Sequence, residues 1–272
     1  MAKLGIIGAG GDLPLRVKNA LENKGQETFL IALDHIASSD TCAQADSVLS
    51  VGEVAAIVSL FQKNHVDTCV MIGPMVRPDL SRLKVDEGGQ IVLTQFMQMA
   101  GAGGDDALLR CLVVYFEERG LKVIGADDVM SDFVAPLGCL TRLSSQAWSE
   151  DVAIGVALLK QLSVFDVGQG CVVRNRQILA IEGPEGTDAM LARVCGLNES
   201  VSISGGVLVK LPKEGQEKRV DLPAIGPVTI KNAVDAGLAG VVFAQEGALL
   251  IDRDECIRIA DQAEFFIEGI AL

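Results

Sequence analysis

Four short apolar runs in the first half of the chain, most of them followed by a stretch of helical spacing, constrain the fold more than any other feature. Residues 4–7, Leu4-Gly5-Ile6-Ile7, end in Gly8-Ala9-Gly10-Gly11, and Pro14 then suits the first turn of a helix reaching about Lys24. Residues 28–33 read as a second strand. Residues 54–64 follow with Ile57, Leu60 and Phe61 on one helical face, and 68–72 form a third strand stopped by Gly73-Pro74. Residues 106–119 place Leu108, Leu109, Leu112, Val113 and Phe116 on one stripe, and 122–124 are a fourth strand closed by Gly125. Alternation of this kind predicts a parallel sheet flanked by helices.

Beyond it, residues 132–142 carry Pro136 and Gly138 and are expected to connect two parts. A helix over 149–162 is predicted next, then strands at 170–174 and 177–181 with Asn175 in the turn between them. A helix at 188–195, a strand at 207–211 and a helix near 230–236 follow, then strands at 240–244, 248–251 and 265–267 and a helix at 254–263. At about 150 residues per domain, 272 residues suggest two domains. The expected class is α/β: a Rossmann-like domain with a parallel sheet over 1–133, a short linker over 134–142, and a second α/β domain over 143–272.

Composition narrows the function. With 23 basic and 36 acidic side chains the net charge is −13, which argues against nucleic-acid binding, since that draws its affinity from neutralising many phosphates. A phosphorylated small molecule stays open, because a few local cations override net charge. Apolar residues at 49% exclude global disorder, and aromatics at 4% argue against a base-stacking platform. Seven scattered cysteines without C-x-x-C read as reduced, mostly buried thiols of a cytoplasmic protein. The amino terminus enters a glycine turn too early for a secretory signal, and the best apolar stretch, 237–251, is broken by Gln245 and Glu246. A soluble protein is expected.

Three segments carry candidate chemistry. Gly8-Ala9-Gly10-Gly11-Asp12-Leu13 matches the dinucleotide pattern G-x-G-x-x-G at two glycines and fails at the third, with Asp34 near a ribose-binding position. A plain turn and a nucleotide site both remain open there, and an NAD(P)-dependent oxidoreductase is the alternative it suggests. Gly103-Gly104-Asp105-Asp106 opens a helix, where the two carboxylates suit capping or a magnesium ion shared with phosphate oxygens. Glu185-Gly186-Thr187-Asp188 joins strand to helix, where backbone N–H groups receive anions. Lys210, Lys213, Lys218 and Arg219 then stand just ahead of Asp221, as a solvated loop or as a diphosphate clamp beside a carboxylate. His35 and His65 make no zinc site with these cysteines, and neither a G-x-S-x-G nor a P-loop occurs. Met71, Met75, Met97 and Met99 with Phe96 suit a core or an apolar groove.

Seven ordered pieces give a family resemblance. They are Gly8-x-Gly10-x-x-Leu13-Pro14, Gly73-Pro74-x-x-Arg77-Pro78, Gly104-Asp105-Asp106-Ala107-Leu108-Leu109-Arg110, Asp166-Val167-Gly168-Gln169, Glu185-Gly186-Thr187-Asp188-Ala189-Met190, Gly206-Val207-Leu208-Val209-Lys210 and Asp221-Leu222-Pro223-x-Ile225-Gly226. Over essentially its whole length the chain resembles the LpxI-type UDP-2,3-diacylglucosamine pyrophosphatases of lipid A biosynthesis. It departs from their usual pattern at Glu217, where Asp is usual, and at Gly170, where Ala or Ser is common.

The resemblance implies magnesium-dependent hydrolysis of the substrate diphosphate to UMP and 2,3-diacylglucosamine 1-phosphate, with attack at the phosphorus bearing the sugar. It implies a lipid nucleotide held between two domains, a homodimer, and transient contact with the inner membrane from the cytoplasm. The Asp matched by Asp221 is essential in the family. Lys210, Asp105 and Asp106 join Asp221 as catalytic candidates, and the three carboxylates are candidate metal ligands. Substrate contacts are expected from Gly8, Gly10, Gly11, Leu13, Gly73, Arg77, Gln169, Glu185, Gly186, Thr187, Asp188, Lys213 and Arg219. The residue types suit the chemistry: hydrolysing a diphosphate requires its negative charge to be neutralised and water to be oriented in line. A non-catalytic lipid-nucleotide carrier would share the binding residues and lack turnover.

Overall fold

Lys3–Gly8 (β1) and Thr28–Leu33 (β2) are buried along nearly their whole length, as strands are when helices cover both faces of a parallel sheet. The computed structural model describes residues 3–75, 83–99, 105–201 and 205–272, with backbone alone at 105 and 198–201. Arg77, Gly103 and Gly104, all within expected motifs, lie outside the described residues. Two units make up the chain: Met1–Met130 with Glu217–Asp221, and Ser131–Gln216 with Leu222–Leu272.

In the first unit the chain continues through α1 (Leu13–Asn23), α2 (Ser39–Gln44), β3 (Ser47–Leu49), α3 (Val54–Lys63), β4 (Val66–Ile72), α4 (Glu87–Gln98), α5 (Asp105–Glu117), β5 (Lys122–Ile124) and α6 (Ala126–Val129). The strands order as β3-β2-β1-β4-β5, all parallel. Strand order reverses between β1 and β4, the switch point at which open α/β sheets receive ligands. Phe29, Ile31, Phe61, Cys69, Val113 and Phe116 form the core. Four elements, α2, β3, α4 and α6, go beyond the sequence reading.

The second unit contains β6 (Gly138–Cys139), α7 (Ser149–Leu162), β7 (Gly170–Arg174), β8 (Gln177–Ile181), α8 (Thr187–Val201), β9 (Val207–Lys210), β10 (Ala224–Ile225), α9 (Pro227–Asp235), β11 (Gly240–Ala244), β12 (Leu249–Leu250), α10 (Arg253–Gln262) and β13 (Phe266–Ile270). Its six-stranded sheet runs β6-β13-β11-β9-β7-β8, parallel across β13, β11 and β9 and antiparallel elsewhere. Period-2 alternation divides the faces: Val207 and Val209 pack with Val152 and Leu159 of α7, whereas Leu208 packs with Met190, Ile230 and Cys256 of α8, α9 and α10. The stretch expected as a linker, 134–142, belongs to this unit: Ala135 is fully buried in its core and β6 pairs with β13. Pro136 and Gly138 mark an edge strand there, a place where a missing ladder donor is tolerated.

Candidate active site

At the switch point of the first unit the glycine loop folds onto the turn after β4. The Ala9 amide donates to the Ile72 carbonyl at 2.8 Å and the Gly10 amide to the Pro74 carbonyl at 2.9 Å. A Cβ on Gly10 would lie 2.7 Å from the Pro74 oxygen, and one on Gly73, which has φ +107°, would lie 2.4 Å from the Gly10 oxygen. These glycines therefore answer to each other across a close approach of two backbone turns. Leu13 and Pro14 open α1, and Asp12 provides no side-chain cap. Gly8, Gly10, Gly11, Leu13 and Gly73 are thus brought together.

A second cluster in this unit centres on Glu217–Asp221. The Glu217 amide donates to Asp106 Oδ1 at 2.7 Å, and Asp106 Oδ2 receives Arg110 Nε at 2.6 Å. Arg219 grips both Glu217 oxygens through Nε at 2.8 Å and Nη2 at 2.7 Å, and reaches Glu117 Oε1 through Nη1 at 2.6 Å. Val220 packs against the core of the unit. The Arg219 guanidinium holds the Glu217 carboxyl below its ordinary range. Arg110, Glu117, Glu217 and Arg219, with Gln95 and Met99, edge a cavity of about 550 Å³.

In the second unit one row of residues runs across three strands. Gly170 of β7 pairs with Lys210 of β9, and the Glu182 amide, just past β8, donates to the Gly170 carbonyl at 2.8 Å. Because Gly170 has no side chain, the Glu182 carboxylate lies over it; a Cβ there would stand 2.6 Å from Glu182 Oε2. Lys210 Nζ comes to 3.6 Å from that oxygen, with side-chain exposures of 6% and 11% for the pair, so both charges are out of water. Lys210 also donates to the Thr187 hydroxyl, which donates to Glu182 Oε1 at 2.9 Å. Among the described residues, Glu182 Oε2 is the buried side-chain oxygen without a hydrogen bond. Thr187 begins α8 behind Gly186, which has φ +83°.

Around this row, Leu211 donates its amide to the Gln169 carbonyl at 2.9 Å, and Lys213 pairs with Asp166. Glu185 pairs with Arg193 at 2.5 Å. Three of the four cations expected to form a clamp are therefore met by a carboxylate: Lys210 by Glu182, Lys213 by Asp166, Arg219 by Glu217 and Glu117. Sequence reasoning missed Glu182 as a site residue. Strand alternation carried one step past β8 was the available signal, since it puts Glu182 on the face of buried Ala180.

Among the described residues no three His, Cys, Asp or Glu side chains converge as a metal cage. Magnesium needs less, one or two carboxylates beside substrate phosphate oxygens, and the carboxylates present fit a cation that arrives with a diphosphate. Asp105, one of the candidate ligands, has no described side chain.

The fold and these clusters define a two-domain α/β protein, the first domain Rossmann-like, with buried and surface ion pairs placed at strand and helix ends. The family model of the LpxI N-terminal domain matches residues 3–133, and that of the LpxI C-terminal domain matches 136–268. The UDP-2,3-diacylglucosamine pyrophosphatase LpxI of Caulobacter vibrioides is 36% identical over 275 residues, spanning 99% of this chain and 98% of the relative. The chain belongs to the LpxI family. Among solved structures, a Thermus thermophilus UDP-glucose 4-epimerase in complex with NAD gives a TM-score of 0.32 at 9% identity, covering 99% of this chain and 86% of its own. An N5-carboxyaminoimidazole ribonucleotide synthetase of Thermotoga maritima gives 0.21 at 17%, covering 76% and 44%. Scores this low carry no argument about fold or function.

Proposed function

We propose that the chain hydrolyses UDP-2,3-diacylglucosamine to UMP and 2,3-diacylglucosamine 1-phosphate. The observation that carries this is the end-to-end relation to a pyrophosphatase of that name, 36% identical over 99% of the chain. The site residues suit the reaction. Lys210, buried against Glu182 and Thr187, braces the start of α8, where helix N–H groups make an arrangement that receives phosphate oxygens. Gln169, Lys213 and the turn of Glu185, Gly186 and Asp188 border it as further substrate contacts. The loop of Gly8, Gly10, Gly11, Leu13 and Gly73 serves the uridine end, outside the carboxyl ends of β1 and β4, and Arg77 is proposed as a further substrate contact from its sequence motif alone.

Water adds to one phosphorus, the bridging P–O bond breaks, and the bridging oxygen leaves with the other phosphate. Asp221 orients the water or takes its proton. Asp221 and Asp105 are the carboxylates that would hold a magnesium ion, which when bound would supply positive charge to the diphosphate oxygens. No described helix is long and apolar enough to cross a membrane. The reading has the chain act from the cytoplasm as a homodimer that touches the inner membrane transiently, because a diacylated substrate partitions there.

The test is release of UMP from UDP-2,3-diacylglucosamine with magnesium, with chelator, and with magnesium restored. Turnover lost and regained is expected. Tight binding without UMP release would support a carrier instead. Turnover requiring NAD(P) would support an oxidoreductase.

A further inference from the structure

We propose that Asp106 and Arg219 are positioning residues: they lock Glu217–Asp221 onto α5 and thereby fix where Asp221 stands, holding neither metal nor substrate themselves. The proposal rests on the role given to Asp221 above.

The segment has little structure of its own. The Val220 and Asp221 amides both turn back to the Glu217 carbonyl, at 3.1 and 3.2 Å, closing a single turn. One isolated turn fixes several dihedrals for very few hydrogen bonds and does not persist unaided. Its anchors come from far away in the sequence. Asp106, 111 residues back, takes the Glu217 amide, and Glu117, 102 residues before Arg219, takes its guanidinium. Arg219 Nη1 also reaches the Val123 carbonyl at 3.5 Å. Between these polar contacts Val220 is set into the core, so Asp221 follows directly on a residue held from several sides.

The same contacts argue against direct roles. Both Asp106 oxygens already accept short hydrogen bonds, one from a guanidinium. Every Arg219 nitrogen already donates, Nε and Nη2 to the two Glu217 oxygens and Nη1 to Glu117 and Val123, so its charge is balanced by two carboxylates. A diphosphate would have to displace two carboxylates of like charge. Holding the chain at Glu217, Arg219 and Val220 instead leaves Asp221 as the first residue past the clamp.

Asparagine keeps the oxygen that receives the Glu217 amide but removes the charge a cation needs. Asp106→Ala, Asp106→Asn, Arg219→Ala and Arg219→Lys are therefore compared for kcat, KM, magnesium requirement and hydrogen exchange of the 217–221 amides. Asp106→Ala and Arg219→Ala are expected to lower kcat about 10- to 100-fold with little change in KM, the cost of a misplaced group, and to speed exchange across the segment. Asp106→Asn is expected to recover much of the lost rate and to keep the wild-type magnesium requirement, and Arg219→Lys to fall between. Asp106→Asn as damaging as Asp106→Ala, with more magnesium needed, would make Asp106 a metal ligand and overturn the proposal. A raised KM at unchanged kcat in Arg219→Ala would make Arg219 a substrate contact and overturn it likewise. Faster exchange without loss of rate would also overturn it, by separating the segment from the chemistry. A wild-type protein without turnover would remove the proposed function and the positioning role together, while exchange still reports whether the two residues anchor the segment.

Discussion

The Pro74 carbonyl accepts the Gly10 amide at 2.9 Å and stands 2.7 Å from the position a Cβ on residue 10 would occupy. The contact makes Gly10 a packing glycine. Gly10→Ala is expected to cost about 1–3 kcal/mol, the range of an overpacked site. Gly196, midway along α8 with open space around it, is the contrast: Gly196→Ala is expected to gain about 0.4–1 kcal/mol. Denaturant melts read both, and equal stabilities for wild type and Gly10→Ala would show that the loop yields.

Lys210 and Glu182 share a site closed to water, so removing one charge strands the other. Lys210→Met is expected to cost about 3–5 kcal/mol. Adding Glu182→Gln should return part of that loss, since the uncompensated charge goes with it. The double-mutant cycle checks this; strictly additive losses would mean that the ion pair has no energetic identity.

Asp221→Ala is expected to fold, to bind the lipid nucleotide and to lose on the order of 100-fold or more in kcat, the usual yield of a general acid–base group. Retention of half the wild-type kcat at an unchanged Tm would leave Asp105 as the next candidate. An exposed ion pair, by comparison, would be worth only about 0–1 kcal/mol.

Acid should loosen the segment that carries Asp221. Arg219 lowers the Glu217 pKa in the folded protein. A lowered folded pKa adds stability that is complete above the unfolded value of about 4.3 and drains away as pH falls through the folded value. The stability difference between wild type and Glu217→Gln is therefore expected to shrink from neutral pH to about pH 3 in urea melts. A difference independent of pH would assign the stabilisation to shape alone.

Burial pushes the Cys69, Cys171 and Cys256 thiols up to about 12, and raises that of Cys111 as well. Thiolate is the reactive form, so a disulfide reagent at neutral pH should find exposed Cys139 first and half-buried Cys42 and Cys195 more slowly. Cys139→Ser should abolish the fast phase. The remaining four should react only as the protein unfolds.

Much of the fold was legible because local pattern and tertiary demand agreed. Strands at 28–33, 122–124, 170–174, 177–181 and 240–244 and the helix at 149–162 stand where their apolar spacing put them. Helix α4 was not legible, because Gly88 and Gly89 read locally as breakers. They are there for contact: a Cβ on Gly88 would meet the Tyr115 hydroxyl at 2.4 Å, and one on Gly89 the Gly52 carbonyl at 2.3 Å. Asp86 caps that helix by accepting the Gly89 amide at 2.8 Å, and that local signal was present.

The candidate site was legible as a set of residue types and not as a set of pairings. Lys213 and Arg219 looked like free cations because their acids, Asp166 and Glu117, stand 47 and 102 residues away. Asp105-Asp106 looked like a cap or a metal pair because nothing near it in sequence announces the Glu217 amide. Spacing along the chain reveals partners within a turn or a hairpin; partners brought by the fold carry no such mark.

The short excursion of Glu217–Asp221 gives the first unit a late-arriving part. A ribosome finishes Met130 well before it reaches Glu217, by roughly four to seventeen seconds at about 5–20 residues per second. Through that interval the nascent first unit exposes the hollow that Val220 fills and leaves Asp106 without the Glu217 amide. Only when synthesis has passed Asp221 can the first unit close over its own core, so most of the second unit has already been made before the first is whole.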